Sequence, residues 1–207
     1  MPRQNRVTPF GELIATPARG TLMGNRGCLH DADGHIRRPY VGQRWIICVL
    51  QFKGRRRPVM TPGRYTELFF LDEATALAAG HRPCAECQGD RYLEFRGHWA
   101  ASRRLAAAGG APTADALDEV LHAERIEAEP RRRTYVERWS RLPDGVMVAD
   151  DDDHAYLVRA GRLLPWTASG YGPARRTSPA SLRVLTPRSV VTAIRHGYPV
   201  RLHPSAV

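Results

Sequence analysis

Apolar and polar positions in the first third of the chain predict strands separated by polar turns. Residues 45–52 form an apolar run rich in β-branched and aromatic side chains, which predicts a buried strand. Residues 59–60 and 65–71 supply further strand material. Residues 1–24 are punctuated by glycine and proline, so they predict an irregular segment. A hairpin or meander is therefore expected between residues 45 and 71.

Helices are predicted where a capping residue precedes a run of helix formers. Asp72 is a good N-cap for a short helix over residues 73–79, and Gly80 is well suited to end it. Three further helices are predicted over residues 89–107, 115–127 and 187–196. After residue 142 short apolar segments return, and they predict strands over residues 146–149, 155–158 and 162–166.

The pattern as a whole predicts an α+β fold. It combines an N-terminal part of hairpin and helices with a β-rich C-terminal part that ends in a helix. The change of texture predicts a division into residues 1–110, residues 111–141 as a helix and basic linker, and residues 142–207. A length of 207 residues is enough to bury a substantial core.

The charge of the chain indicates what kind of partner it binds. The formal net charge is +10, and Lys53 is the single lysine, so almost all of the positive charge is arginine. Arginine binds phosphate through two donors and stacks on bases, which favours a nucleic-acid partner. The candidate nucleic-acid-binding residues are Arg37, Arg38, Lys53, Arg55, Arg56, Arg57, Arg131, Arg132, Arg133, Arg175 and Arg176.

The stretch AGHRPCAEC (79–87) carries the clearest chemistry. Its Cys84-x-x-Cys87 pair offers two thiolates from one turn, as zinc sites require. A redox pair is the alternative, but a thioredoxin-like pair follows a strand, whereas a short helix is predicted here. Cys48 lies inside the apolar run and is predicted to be a buried core thiol.

Residues 69–87, FFLDEATALAAGHRPCAEC, resemble the metal-binding module of the Ada family of DNA alkylation-repair regulators. The positions that carry the resemblance are Phe70, Glu73–Ala74, Ala78–Gly80, Arg82–Cys84 and Cys87. The resemblance implies a zinc ion with a second ligand pair upstream in a turn. It gives the expected ligand set Cys28, His30, Cys84 and Cys87. His35 or His81 is an alternative to His30.

Two residues are weaker catalytic candidates. Glu67 would be a general acid or base if it lies near a basic cleft, and His154 follows an acidic run, residues 150–153, of the kind that holds Mg²⁺. An exposed strand carboxylate and a solvated loop between two strands are the simpler interpretations. The common nucleotide-binding and hydrolase motifs are missing from the sequence.

Together these features predict a zinc-containing nucleic-acid-binding protein that acts in DNA repair or defence. The alternatives are a metal-dependent nuclease or base-processing enzyme, and a protein-interaction module without enzymatic activity. The longest apolar run is far shorter than a membrane span, and no secretory signal is recognisable, so a cytoplasmic protein without a membrane partner is expected.

Overall fold

A computed structural model describes residues 1–55, 58–102, 111–126, 133–175 and 180–206. The described residues contain both helices and two sheets, which confirms the α+β prediction. Arg56, Arg57, Arg131, Arg132 and Arg176 lie outside the described residues.

The first sheet has six strands in the described part of the chain. They are β1 (Gln4–Val7), β2 (Leu13–Ala15), β3 (Leu22–Asn25), β4 (Ile46–Cys48), β5 (Leu68–Phe70) and β6 (Arg82–Pro83). Their order across the sheet is β2-β1-β5-β3-β4-β6. The β1–β5 and β4–β6 pairs are parallel, and the others are antiparallel.

The expectation of an irregular segment over residues 1–24 is wrong, because three short strands form there. Gly24 is required where β3 crosses the sheet, since a Cβ atom at this position would lie 2.1 Å from the Ile46 carbonyl oxygen. In the sequence, Gly24 was one of the residues that predicted an irregular segment. In the structure, it allows β3 and β4 to approach each other closely.

The predicted strand over residues 45–52 is also shorter than expected. Strand β4 ends at Cys48.

Four α-helices are present among the described residues. They are α1 (Glu73–Ala78), α2 (Gly89–Ser102), α3 (Ala114–Arg125) and α4 (Arg188–Arg195). The predicted cap of α1 is confirmed, since Asp72 accepts a hydrogen bond from the backbone N–H of Thr75. Gly80 adopts a φ of +84° after the helix, as an αL residue at a helix end does.

The second sheet is antiparallel and follows the order β11-β10-β9-β8-β12-β7. Its strands are β7 (Tyr135–Arg138), β8 (Met147–Ala149), β9 (Ala155–Arg159), β10 (Arg162–Thr167), β11 (Gly170–Tyr171) and β12 (Ser181–Val184). Three of these strands are those predicted from the short apolar segments after residue 142.

One buried cluster of hydrophobic side chains draws on all three predicted parts of the chain. Leu68 and Phe70 come from the first part, Leu117 from the second, and Val148 and Tyr198 from the third. The division at residues 110 and 141 stays a prediction, and the side chains on either side of it share a core. Among the described residues, none of the helices has the length and apolar character needed to cross a bilayer.

Candidate metal centre

Three thiols lie together at one edge of the first sheet. The Sγ atoms of Cys48, Cys84 and Cys87 all lie within 4.8 Å of one another. Cys48 is the last residue of β4, and the two other cysteines occupy the turn between β6 and α2. All four cysteines and all eight histidines of the chain fall among the described residues. No further ligand-type side chain of that part joins the group at this spacing.

Parallel pairing of two strands produces this arrangement. Ile46 faces Arg82 and Ile47 faces Pro83 across the β4–β6 pair. One step further in the same register, Cys48 stands opposite Cys84. The backbone N–H of Cys84 donates to the Ile47 carbonyl oxygen at 2.9 Å, which holds the two strand ends together.

The turn that carries Cys84 and Cys87 is held by hydrogen bonds on both sides. The backbone N–H of Gln88 donates to the Cys84 carbonyl oxygen at 3.1 Å, and its side-chain amide donates to the Ile47 carbonyl oxygen at 2.9 Å. The backbone N–H groups of Glu86 and Cys87 both point at Cys84 Sγ. Donors aimed at a sulfur stabilise its thiolate, which is the form that binds metal.

The three thiols differ in acidity. The Cys48 thiol donates a hydrogen bond to Cys84 Sγ, and this bond together with the two backbone donors outweighs burial and lowers the pKa of Cys84 to about 5. The same hydrogen bond and burial raise the pKa of Cys48 well above its ordinary value. Burial raises the pKa of Cys87 as well. Cys84 is therefore the most acidic thiol of the three.

The donor set fits a soft or borderline metal ion. Sulfur atoms bound to tetrahedral zinc at about 2.3 Å lie roughly 3.8 Å apart. The three Sγ atoms lie within 4.8 Å of one another, so little movement would bring them to this spacing. Cys48 and Cys84 are buried, and Cys87 is partly exposed, so an ion has a route from solvent. The three thiols are thus close enough to bind a metal ion.

The expected upstream ligands lie elsewhere. Both ring nitrogens of His30 are engaged, Nδ1 with the Thr66 hydroxyl at 2.6 Å and Nε2 with the Thr61 carbonyl oxygen at 3.3 Å. The Cys28 thiol donates to the carbonyl oxygen of His30 at 3.8 Å. The structure does not bring Cys28 and His30 into the thiol group, and Cys48 takes a place beside Cys84 instead.

The two alternative histidines are not in the thiol group either. His35 is exposed and lies with Asp31 and Asp33 in a polar turn. The His81 ring is fully buried and packs against the rings of Trp45 and Phe70 at centroid distances of 5.3 and 4.8 Å. His81 thus packs as an aromatic ring in the core.

A buried ion pair fixes the strand that leads into the thiols. Arg82 donates to both carboxylate oxygens of Asp118, at 2.8 and 2.6 Å, and both side chains are almost completely buried. Asp118 belongs to α3, so this bidentate pair fastens β6 to that helix. Arg82 lies two residues before Cys84 in the chain, so the pair helps to position the turn that carries the thiols.

Basic side chains flank the thiol turn. Arg55 pairs with Glu86 at 2.8 Å, and Glu86 lies between the two cysteines of the turn. The charged ends of Lys53 and Arg55 lie 5.1 and 5.2 Å from the centroid of the Phe52 ring. The loop after β4 thus places Arg55, a predicted nucleic-acid-binding residue, beside the turn that carries two of the thiols.

The remaining described basic candidates occupy other places. Arg37 pairs with Asp31 at 2.6 Å, and Arg38 is exposed next to it. Arg133 is exposed ahead of β7, and Arg175 donates to the Tyr156 hydroxyl at 3.0 Å at the second sheet. These residues are distributed over both sheets.

The two catalytic candidates have structural partners. Glu67 is buried, and its Oε2 accepts a hydrogen bond from the backbone N–H of Met60 at 2.7 Å. His154 is exposed in the turn between β8 and β9, where its backbone N–H donates to Asp150 at 2.8 Å. Asp150 also accepts a hydrogen bond from the Tyr156 hydroxyl, so the acidic run forms a turn between two strands.

Sequence reasoning found two of the three clustered thiols. Cys48 is buried, as predicted, and its membership of a thiol group was the part that the sequence did not reveal. Comparison of the chain with protein-family models, with curated proteins and with solved structures finds no match.

Proposed function

We propose that the protein binds zinc through Cys48, Cys84 and Cys87 and binds nucleic acid, DNA in the first place, on the basic surface beside them. The observation that carries this proposal is the thiol cluster with the Arg55–Glu86 ion pair attached to its turn. The resemblance of residues 69–87 to the Ada metal-binding module supports both halves of the proposal.

Zinc is favoured because all three donors are thiols and the cytoplasm expected for this protein keeps thiols reduced. Three sulfur donors leave one position of a zinc tetrahedron for a water molecule or another ligand. Zinc bound here would join β4 to the turn after β6 and so contribute to folding.

Metal analysis of purified variants tests the ligand set. Cys48→Ser is expected to lose zinc, whereas Cys28→Ser, the matched control, is expected to keep one zinc ion per chain. Retention of zinc by Cys48→Ser together with its loss from Cys28→Ser would reject this set in favour of the upstream pair. Cobalt substitution provides a second measurement, because the intensity of sulfur-to-cobalt charge transfer counts the bound thiolates.

The nucleic-acid half of the proposal rests on charge near the centre. Binding of a fluorescent DNA duplex and of single strands is measured across a salt series, since each phosphate contact steepens the dependence of log affinity on log salt by about 0.7–0.9. Arg55→Ala is expected to weaken binding. It is also expected to reduce the slope of log affinity against log salt by about 0.7–0.9, the share of one phosphate contact.

Glu86→Gln separates charge from structure in this assay. It breaks the same ion pair as Arg55→Ala but keeps the guanidinium, so its affinity for DNA is expected to equal or exceed that of the wild type. Equal losses in the two variants would mean that the ion pair, and not the positive charge, matters. Absence of binding at low salt would instead favour the protein-interaction module.

Cleavage remains the alternative with a direct test. Incubation with plasmid and a divalent metal ion detects a nuclease, and Glu67→Gln and His154→Ala identify its residues. Because Glu67 and Asp150 already accept hydrogen bonds from neighbouring backbone groups, binding without cleavage is the expected result.

A further inference from the structure

A pocket of about 390 Å³ opens next to the β1–β2 hairpin, at the start of β4. This volume falls in the range of small-molecule binding sites, about 300–1,000 Å³. The lining combines three aromatic side chains with charged and apolar ones. The residues used below are Phe10, Glu12, Arg26, Arg37, Arg38, Tyr40 and Trp45.

Trp45 forms a fixed wall of this pocket. Its side chain is almost fully buried, and its indole N–H donates to the Gly42 carbonyl oxygen at 3.1 Å. The guanidinium groups of Arg26 and Arg125 lie over the ring, 4.8 and 3.9 Å from its centroid. The wall is therefore preorganised and costs little conformational entropy on binding.

The half-exposed aromatic side chains provide the contact surface. Tyr40 packs against Trp45 with ring centroids 5.4 Å apart and against His122 at the same distance. Phe10 is also half-buried at the pocket. A planar heteroaromatic ligand gains stacking on such surfaces, as bases do on aromatic side chains in nucleic-acid binding.

Charge selects an anion. Three arginines face a single glutamate among the charged lining residues, so the lining is positive. Arg26 is buried and holds the Gly11 carbonyl oxygen at 2.9 Å, and Arg37 is paired with Asp31. Arg38 is exposed and lines the same pocket. Arginine donors of this kind suit phosphate.

We propose that this pocket binds a single nucleotide. The base packs against Tyr40 and Phe10, the phosphate pairs with Arg38, and Glu12 accepts a hydrogen bond from an amino or hydroxyl group of the ligand. The nucleotide is either free or part of a strand from which it has been turned out, and only the second source rests on the proposed binding of nucleic acid.

Calorimetric titration of the zinc-loaded full chain with the four nucleoside 5′-monophosphates tests the pocket. The parent nucleosides and inorganic phosphate are titrated separately, and each is expected to bind at least about tenfold more weakly, because each supplies one half of the contacts. Arg38→Ala is expected to weaken monophosphate binding about tenfold or more, as loss of a charge-assisted hydrogen bond does. Arg162→Ala, an exposed arginine on the second sheet, is the control and is expected to bind as the wild type.

A single-stranded oligonucleotide separates the two sources. If it binds, and saturating monophosphate and Tyr40→Ala both weaken it, the pocket takes a nucleotide from a strand. If a monophosphate binds and the oligonucleotide does not, the pocket is supported and nucleic-acid binding fails. If no monophosphate binds at millimolar concentration, or Arg38→Ala changes nothing, the pocket proposal is overturned while DNA binding beside the thiols still stands.

Discussion

Removing Asp118 should destabilise the protein strongly, because it leaves Arg82 charged and buried. The Arg82 side chain is 2% exposed and that of Asp118 is 4% exposed, and two hydrogen bonds of 2.8 and 2.6 Å join them. The other hydrogen bond of this guanidinium goes to the Pro83 carbonyl oxygen at 3.0 Å. In Asp118→Ala a single neutral acceptor would have to compensate a buried positive charge.

The expected loss is about 3–5 kcal/mol, the usual cost of removing one partner from a buried ion pair. For a chain of this size, each kcal/mol lowers the melting temperature by about 2–4 °C, so a fall of roughly 6–20 °C is expected. Urea unfolding followed by circular dichroism measures the free energy, and a thermal scan measures the shift. Because Arg82 lies two residues before Cys84, metal affinity is expected to fall as well.

Asp115 offers a matched control on the same helix. It pairs with Arg44 at 2.9 Å, but the two side chains are 81% and 68% exposed. Solvent screens such a pair, so Asp115→Ala is expected to cost about 1 kcal/mol or less. Equal losses in the two variants would refute the reasoning from burial. The double variant Arg82→Met/Asp118→Leu should recover most of the stability, since it removes both charges.

Three further predictions follow from glycine positions and a buried carboxyl group. Gly24→Ala is expected to lose about 1–3 kcal/mol or more in urea unfolding, because its Cβ would meet the Ile46 carbonyl oxygen at 2.1 Å. Gly97→Ala, in open space on α2, is expected to gain about 0.5–1 kcal/mol, and a loss would contradict the helix assignment. Burial raises the pKa of Asp72 in the folded protein. The stability that this carboxyl group contributes is therefore fully present below its unfolded pKa of about 3.9, and it is lost as the pH rises through the folded pKa. As the pH rises from 4 to 7, the urea midpoint of the wild type should therefore fall relative to that of Asp72→Asn. A difference between the two midpoints that does not change with pH would contradict this.

Short sequence signals were sufficient to predict the helices and strands whose caps or pairing partners lie close in sequence. Helix α1 could be predicted because Asp72 caps its start and Gly80 ends it. Strands β8, β9 and β10 could be predicted because each pairs with a neighbour close in sequence. The pairing of β1 and β3 with β5 could not be predicted in this way, because β5 lies more than 40 residues away.

The same difference between local and long-range information applies to the three clustered thiols. The Cys84-x-x-Cys87 turn is a local motif, and it was visible in the sequence. Cys48 lies 36 positions before Cys84 in an apolar run that reads as core, and only the parallel register of β4 on β6 sets the two opposite each other. A metal site of this kind needs one strand end to supply the third sulfur to a turn that supplies two. Pairing over such a distance is decided by packing and not by spacing along the chain, so the third thiol of the cluster comes from a neighbouring strand that no local motif marks.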